Sequence, residues 1–288
     1  MLYGALEAGG TKMICAVGDD NGHILEEYTI PTTKPENTMP KILSFFKSKD
    51  ITALGIACFG PIDLNKQSPT YGYITSTPKL AWRNYNIVGT CKDSLGVPVG
   101  FDTDVNGSLL GEVTYGAAKG LTNVIYITIG TGIGGGVMTN GKLLHGMLHP
   151  ELGHIILPLH PDDHYAGRCP SHGTCLEGLA SGPAIEDRWG DKAVNLANKK
   201  EVWELESFYI AEALVNFIVT LSPQRIILGG GVMHQEQLFP LIRKKTATLL
   251  NGYLQTKELS DLDSYIVPAS LHDKQGIMGA IRLAIDNS

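Results

Sequence analysis

Nowhere in the 288 residues does an apolar run reach the roughly 18 residues that a membrane-spanning helix needs. The most apolar long segment, Phe208 to Leu221, is interrupted by Glu212 and Asn216. Basic charge is scarce too. The 23 Lys and Arg residues against 29 Asp and Glu leave a net charge of −6, which disfavours a polyanionic partner such as nucleic acid, or an acidic membrane surface. No basic-then-apolar leader opens the chain, so a cytoplasmic protein starting at Met1 is expected. Five cysteines are too few for a disulfide framework, and Cys15, Cys58 and Cys91 stand alone in apolar segments, where core positions are expected. What is plentiful is glycine: 34 residues, about 12 % against a usual 7 %. With 43 % hydrophobic residues the chain can fill a core, so this surplus needs a local explanation.

Residues 4–17 alternate apolar positions around Gly9-Gly10, and a second turn signal follows at Asn21-Gly22. The pattern predicts strand, tight turn, strand, turn, strand. It returns later: a strand at 123–129, a glycine-rich turn at 130–136, a strand at 137–139, an Asn140-Gly141 turn and a strand at 142–144. Thr11 to Asn21 spans ten residues and Thr131 to Asn140 nine, which reads as a duplicated β-meander with one copy per lobe. Between the copies, helix patterns at 37–49, 87–95 and 105–118 alternate with strands at 53–59 and 97–102. After the second copy come a His/Cys/Pro-containing loop at 160–175, helices near 201–221 and at 238–250, strands at 225–228 and 265–268, and a closing helix at 276–286. Such alternation predicts an α/β fold with mixed sheets. Two similar lobes are expected around a cleft that serves as the ligand site, one of residues 1–115 plus 276–288, the other of 116–275.

Gly130-Thr-Gly-Ile-Gly-Gly135 fits G-x-G-x-x-G, but it leads into a hairpin rather than a helix, so a dinucleotide turn does not follow. Protein-kinase H-R-D and D-F-G motifs are absent, as is a Walker A loop. Glycine lets backbone N–H groups approach an anion, and Thr11 and Thr131 add hydroxyls. The two turns therefore read either as a polyphosphate clamp or as plain tight hairpins. Gly229-Gly-Gly231 ends a buried strand and suits close approach of a nucleoside.

Asp102-Thr-Asp104-Val-Asn106 sits where a strand gives way to a helix. Either Asp can be a helix cap, or Asp104 a general base for phosphoryl transfer to an alcohol. His154, Cys169, His172 and Cys175 offer two imidazoles and two thiols, a set suited to structural zinc. A redox pair is the rival, with the wrong spacing, and His160 is the one substitute ligand.

Together, Glu7-Ala-Gly-Gly-Thr-Lys12, Asp102-Thr-Asp104-Val-Asn106, Gly130-Thr-Gly-Ile-Gly-Gly-Gly136, His149-Pro-Glu151-Leu-Gly-His154 and Cys169-Pro-Ser-His172-Gly-Thr-Cys175-Leu-Glu177-Gly resemble the ROK family of sugar kinases. Within it the similarity points to bacterial fructokinases. The resemblance runs through nearly the whole chain and implies an actin-like ATPase (ribonuclease H-like) fold, a zinc-bound loop over 154–177, a homodimer, and ATP and Mg²⁺ as cofactors. It implies Asp104 as catalytic base, and Gly60, Pro61, Asn84, Thr103, Glu151, His154 and Glu177 on the sugar side. Gly10, Thr11, Lys12, Thr131 and Gly132 match the phosphate turns, and Pro183 with Gly230, Gly231, Val232, Met233, His234 and Gln235 the adenosine side. Glu7 matches an acid that holds Mg²⁺ through water. Thr103 stands where many members have Asn, and Glu7 where many have Asp; both departures favour fructose. Glucokinase or mannokinase activity and a non-catalytic sugar sensor are the alternatives. The first phosphate turn begins within ten residues of Met1, so the DNA-binding module of the family's repressors is not expected.

Overall fold

The computed structural model describes all residues, Met1–Ser288. The chain divides into two compact units: Met1–Gly120 with Leu144–His149 and Ser270–Ser288, and Leu121–Leu143 with Pro150–Ala269. Residues 116–120, 144–149 and 270–275 thus group with the first unit, where the sequence pattern places them in the second. Part of the reason is Glu112. Its buried carboxylate accepts hydrogen bonds from Ala117 N at 2.8 Å, Ser270 N at 2.7 Å and Ser270 Oγ at 2.7 Å, tying both stretches to one helix.

In chain order the first unit contains β1 (Tyr3–Ala8), β2 (Lys12–Gly18), β3 (Ile24–Pro31), α1 (Pro35–Lys47), β4 (Ala53–Cys58), a two-stranded ribbon of β5 (Tyr73–Ile74) and β6 (Tyr85–Asn86), α2 (Ile87–Leu95), β7 (Val99–Thr103) and α3 (Asp104–Tyr115). The second holds β8 (Val124–Ile129), β9 (Ile133–Thr139), β10 (Lys142–Leu143), α4 (Leu176–Ala180), α5 (Gly182–Trp189), α6 (Lys200–Leu221), β11 (Arg225–Gly229), α7 (Leu238–Leu250), α8 (Leu262–Tyr265) and β12 (Ile266–Pro268). The closing helix α9 (Gln275–Ile285) returns to the first unit. The sheet orders are β3-β2-β1-β4-β7 and β10-β9-β8-β11-β12. In each, an antiparallel meander is extended by two parallel strands, so the duplication covers the whole sheet.

Period-two alternation explains the two faces of the first sheet. Leu6, Leu54, Ile56 and Cys58 join Met13, Ile42, Phe46, Trp82 and Ile87 in one cluster, beneath α1 and α2. Their strand neighbours Tyr3, Ala5, Ala53 and Ala57 meet Ile277, Ala280, Ile281 and Ala284 of α9. The mostly small residues on that face let the helix come close. Cys15, Cys58 and Cys91 are fully buried, as expected, and burial pushes the Cys91 thiol up to about 12, so it stays neutral.

The glycines need a corrected reading. Gly134, Gly135 and Gly136 lie inside β9, paired with β8, and only 130–132 form the turn. A Cβ on Gly135 would come within 2.6 Å of Leu152 Cδ1. Part of the surplus therefore serves packing. The tightest case is Gly279, where a Cβ would lie 1.6 Å from the Gly107 carbonyl oxygen, so α3 and α9 cross backbone to backbone. Replacing Gly279 by Ala should cost about 2–3 kcal/mol of stability by overpacking; an unchanged melting temperature would refute the close crossing.

Candidate active site

β7 is parallel to β4 and ends in Asp102 and Thr103. Thr103 takes extended backbone angles and its Oγ1 accepts from Asn106 N at 3.1 Å, which makes Thr103 the N-cap of α3. Neither aspartate is therefore the cap. Asp102 is buried: its Oδ1 accepts from Thr103 N at 2.8 Å and Asn106 Nδ2 at 2.7 Å, and its Oδ2 from His145 Nε2 at 2.9 Å. That last bond raises the His145 pKa above the usual histidine range. Asp104 opens α3, half-buried, with Oδ1 accepting from Val105 N at 2.9 Å. The helix N-terminus favours its negative charge.

Glu7, on β1, lies close enough for the two charges to repel. Its Oε2 is buried with no hydrogen-bond partner. Burial first, then the charge of Asp104, pushes the Glu7 carboxyl up to about 7 from an ordinary 4.5, with Lys12 opposing the shift. A Cβ on Gly276 would sit 2.6 Å from the Glu7 carboxyl carbon, so the first turn of α9 is pressed against it. A buried, under-satisfied acid beside a second acid suits a cation.

In the first glycine turn, Gly9 N donates to Lys12 O at 3.1 Å, while Thr32 donates through Oγ1 to Gly9 O at 2.7 Å and through N to Thr11 O at 2.9 Å. Gly10 lies half-buried within it, and Thr11 and Lys12 are exposed. In the second turn Gly130 N donates to Gly132 O at 2.9 Å, and Gly182 N to Gly130 O at 2.8 Å. Gly130 and Thr131 line a cavity of about 400 Å³ with Gly182, Pro183, Glu186, Lys192, Ala193, Val194, Gly231 and Val232, a size that suits a small ligand. Met233, His234 and Gln235 do not line it. They continue a 3-10 turn over 231–234 in which Met233 is buried and Gln235 N donates to Val232 O. Gly230, at φ +89°, supplies the bend into that turn.

Of the expected sugar-side residues, Gly60 and Pro61 share a cis peptide, and Pro61 O accepts from Thr75 N at 2.8 Å and Oγ1 at 3.0 Å. Asn84 is exposed at φ +59° and donates through N to Thr75 O at 3.4 Å. Thr103 spends its acceptor on the cap and keeps its hydroxyl proton for another partner. These three segments and Asp104 belong to the first unit, and Glu151, His154 and Glu177 to the second. Glu151 is exposed, and its carbonyl accepts from His154 N. Glu177 Oε2 accepts from Ile133 N at 3.0 Å, and a Cβ on Gly132 would come within 2.8 Å of that oxygen. One of its oxygens is thus committed to the second glycine turn.

His154, Cys169, His172 and Cys175 converge, with all four ligand atoms within 4.8 Å of one another. Cys169 Sγ is 3.8 Å from His154 Nδ1 and 3.6 Å from His172 Nδ1, and Cys175 Sγ is 3.5 Å from His154 Nδ1. A tetrahedral zinc with two sulfur and two nitrogen ligands has edges of about 3.3–3.8 Å, and these three separations match them. His154 turns Nδ1 inward and keeps Nε2 for a second partner. Both cysteines are free thiols, and burial pushes the Cys175 thiol up to about 11. His160 stands apart, its ring packed edge-on against Phe208 and its Nδ1 accepting from Asp162 N.

The sequence model of the ROK family matches residues 3–287. This chain belongs to the ROK family. A putative fructokinase of Bacillus subtilis is 51 % identical over 284 residues, 98 % of this chain and 95 % of that protein. A fructokinase of Pediococcus pentosaceus is 46 % identical, covering 99 % and 98 %. The crystal structure of a ROK family glucokinase from Streptomyces griseus in complex with glucose and AMPPNP superposes with a TM-score of 0.76 at 25 % identity, over 99 % of this chain and all of that one. The mixed α/β sheets described above are thus those of ROK proteins.

Sequence reading missed His145 and the cavity residues Gly182, Glu186, Lys192, Ala193 and Val194. No periodicity marks either group. Glu7 of this ROK protein yields a pH test. Its proton is held more tightly in the folded state, so stability is complete below about pH 4.5 and falls as pH rises through 7, a loss approaching about 3 kcal/mol. Without divalent cations, Glu7→Gln should melt above wild type at pH 8 and together with it at pH 4. Coincident melting at both pH values would contradict the buried charge.

Proposed function

We propose that the chain is an ATP-dependent sugar kinase that phosphorylates D-fructose to fructose 6-phosphate. The observation that carries this is the Asp104 carboxylate at the start of α3, relieved of capping by Thr103 and beside Glu7. Phosphoryl transfer to an alcohol needs alignment, charge neutralisation and one base. As the sugar oxygen bonds to the γ-phosphorus and the bond to the β–γ bridging oxygen breaks, Asp104 accepts the hydroxyl proton and ADP leaves.

The cavity at Thr131, Pro183 and Gly231 supports nucleotide binding, and the ATP analogue in the Streptomyces griseus glucokinase agrees with it. The relatives that share about half of this chain's residues are named fructokinases, whereas that glucokinase shares a quarter. Thr103 in place of a longer amide supports the same choice. Gly60, Pro61, Asn84, Glu151, His154 and the second oxygen of Glu177 would orient the sugar; Gly10, Thr11, Lys12 and Gly132 would meet the phosphates. Glu7 would hold Mg²⁺ through water, a cation that offsets phosphate charge when bound. His154, Cys169, His172 and Cys175 would hold zinc, which stiffens the loop leading into α4. The family resemblance supports a homodimer and a cytoplasmic location, and no helix is long and apolar enough to cross a membrane.

A hexose panel tests the activity. ATP consumption should be at least about tenfold more efficient with fructose than with mannose, glucose or N-acetylated hexoses, the scale that one or two hydrogen bonds support. Preference for glucose or mannose would move the protein to another branch, and tight sugar binding without turnover would make it a sensor. For the metal, purified protein should carry one zinc per chain, and Cys175→Ser should lose it together with thermal stability. A zinc-free protein of unchanged stability would remove the metal from the account.

A further inference from the structure

His145 belongs to the short segment 144–149, the one stretch between residues 121 and 269 that groups with the first unit. Its Nε2 lies 2.9 Å from Asp102 Oδ2, with the His145 side chain 38 % exposed and that of Asp102 only 6 %. Asp102 Oδ1 is already filled by Thr103 N and Asn106 Nδ2, so His145 is the donor to the other oxygen of a buried carboxylate. A buried charge without such a partner is costly, so this bond is held firmly. Four residues on, the His149 ring abuts Gly60, where a Cβ would lie 3.4 Å from His149 Nε2. Pro150 and Glu151 follow directly.

We propose that His145 is a positioning residue: through Asp102 it latches the segment 144–149 to the β7–α3 turn, and so holds the sugar-side residue Gly60 in register with the base Asp104. The chain of contacts runs from Asp104 back to Asp102, across to His145, and along the segment to His149 and Gly60. None of these residues lines the nucleotide cavity. The latch therefore acts on the sugar and leaves ATP alone. It rests on the sugar-kinase reading above.

Steady-state kinetics of His145→Ala and His145→Gln, with fructose and ATP each varied, test it. Losing a hydrogen bond to a buried charge should raise the fructose KM about tenfold or more, with kcat and the ATP KM within about threefold. The Gln side chain, whose Nε2 can donate to Asp102 Oδ2, should restore most of the loss. In parallel, amide hydrogen exchange over 144–149 should quicken in the Ala variant and recover in the Gln variant. An unmoved fructose KM, a Gln variant as impaired as Ala, or a uniform fall of every parameter overturns the proposal. Should wild type phosphorylate no hexose, the kinase reading falls, and the exchange data alone decide the latch: unchanged exchange overturns it.

Discussion

A carboxylate withdrawn from water at the end of a parallel strand has to find donors, and Asp102 finds three. Backbone N–H of the next residue, the amide of Asn106 and the imidazole of His145 converge on it. Once they do, little freedom remains in the turn between β7 and α3. Thr103 is left to cap the helix, and Asp104 becomes the first helical residue, its charge favoured by the helix N-terminus rather than consumed by it. The position of the proposed base thus follows from how the two local donors, Thr103 N and the Asn106 amide, hold its buried neighbour.

Glu7 is the counterweight. The same sheet that buries Asp102 carries a second acid whose Oε2 has no partner, pressed by α9 and repelled by Asp104. Such an arrangement lowers stability at neutral pH and persists where function requires it. The close crossing of α3 and α9 at Gly107 and Gly279 helps to keep both acids in place, because α3 starts at Asp104 and α9 starts beside Glu7.

Much of this was readable in the residues. Alternating apolar positions punctuated by Asn-Gly turns gave away both meanders, since hairpin chemistry is local. The cysteine and histidine spacing brought its four side chains together because three of them lie within seven residues. Other features needed three dimensions. Gly134 to Gly136 looked like a loop because glycine disfavours strands, yet neighbours such as Leu152 leave no room for a side chain there. Asp102 and Asp104 both resembled caps, and only backbone angles assign that role to Thr103. Glu177 was legible as a site residue, but its bond to Ile133 N joins positions 44 residues apart. His145 is 43 residues from Asp102, and a lone histidine in a loop carries no pattern.

The central claim is that Asp104 takes the proton from the attacking sugar hydroxyl. Comparing wild type with Asp104→Asn, by turnover and by calorimetric fructose binding, tests it most directly. The account predicts a loss of kcat of about 10² or more with fructose affinity and melting temperature close to wild type. Near-normal turnover in the Asn variant would contradict it.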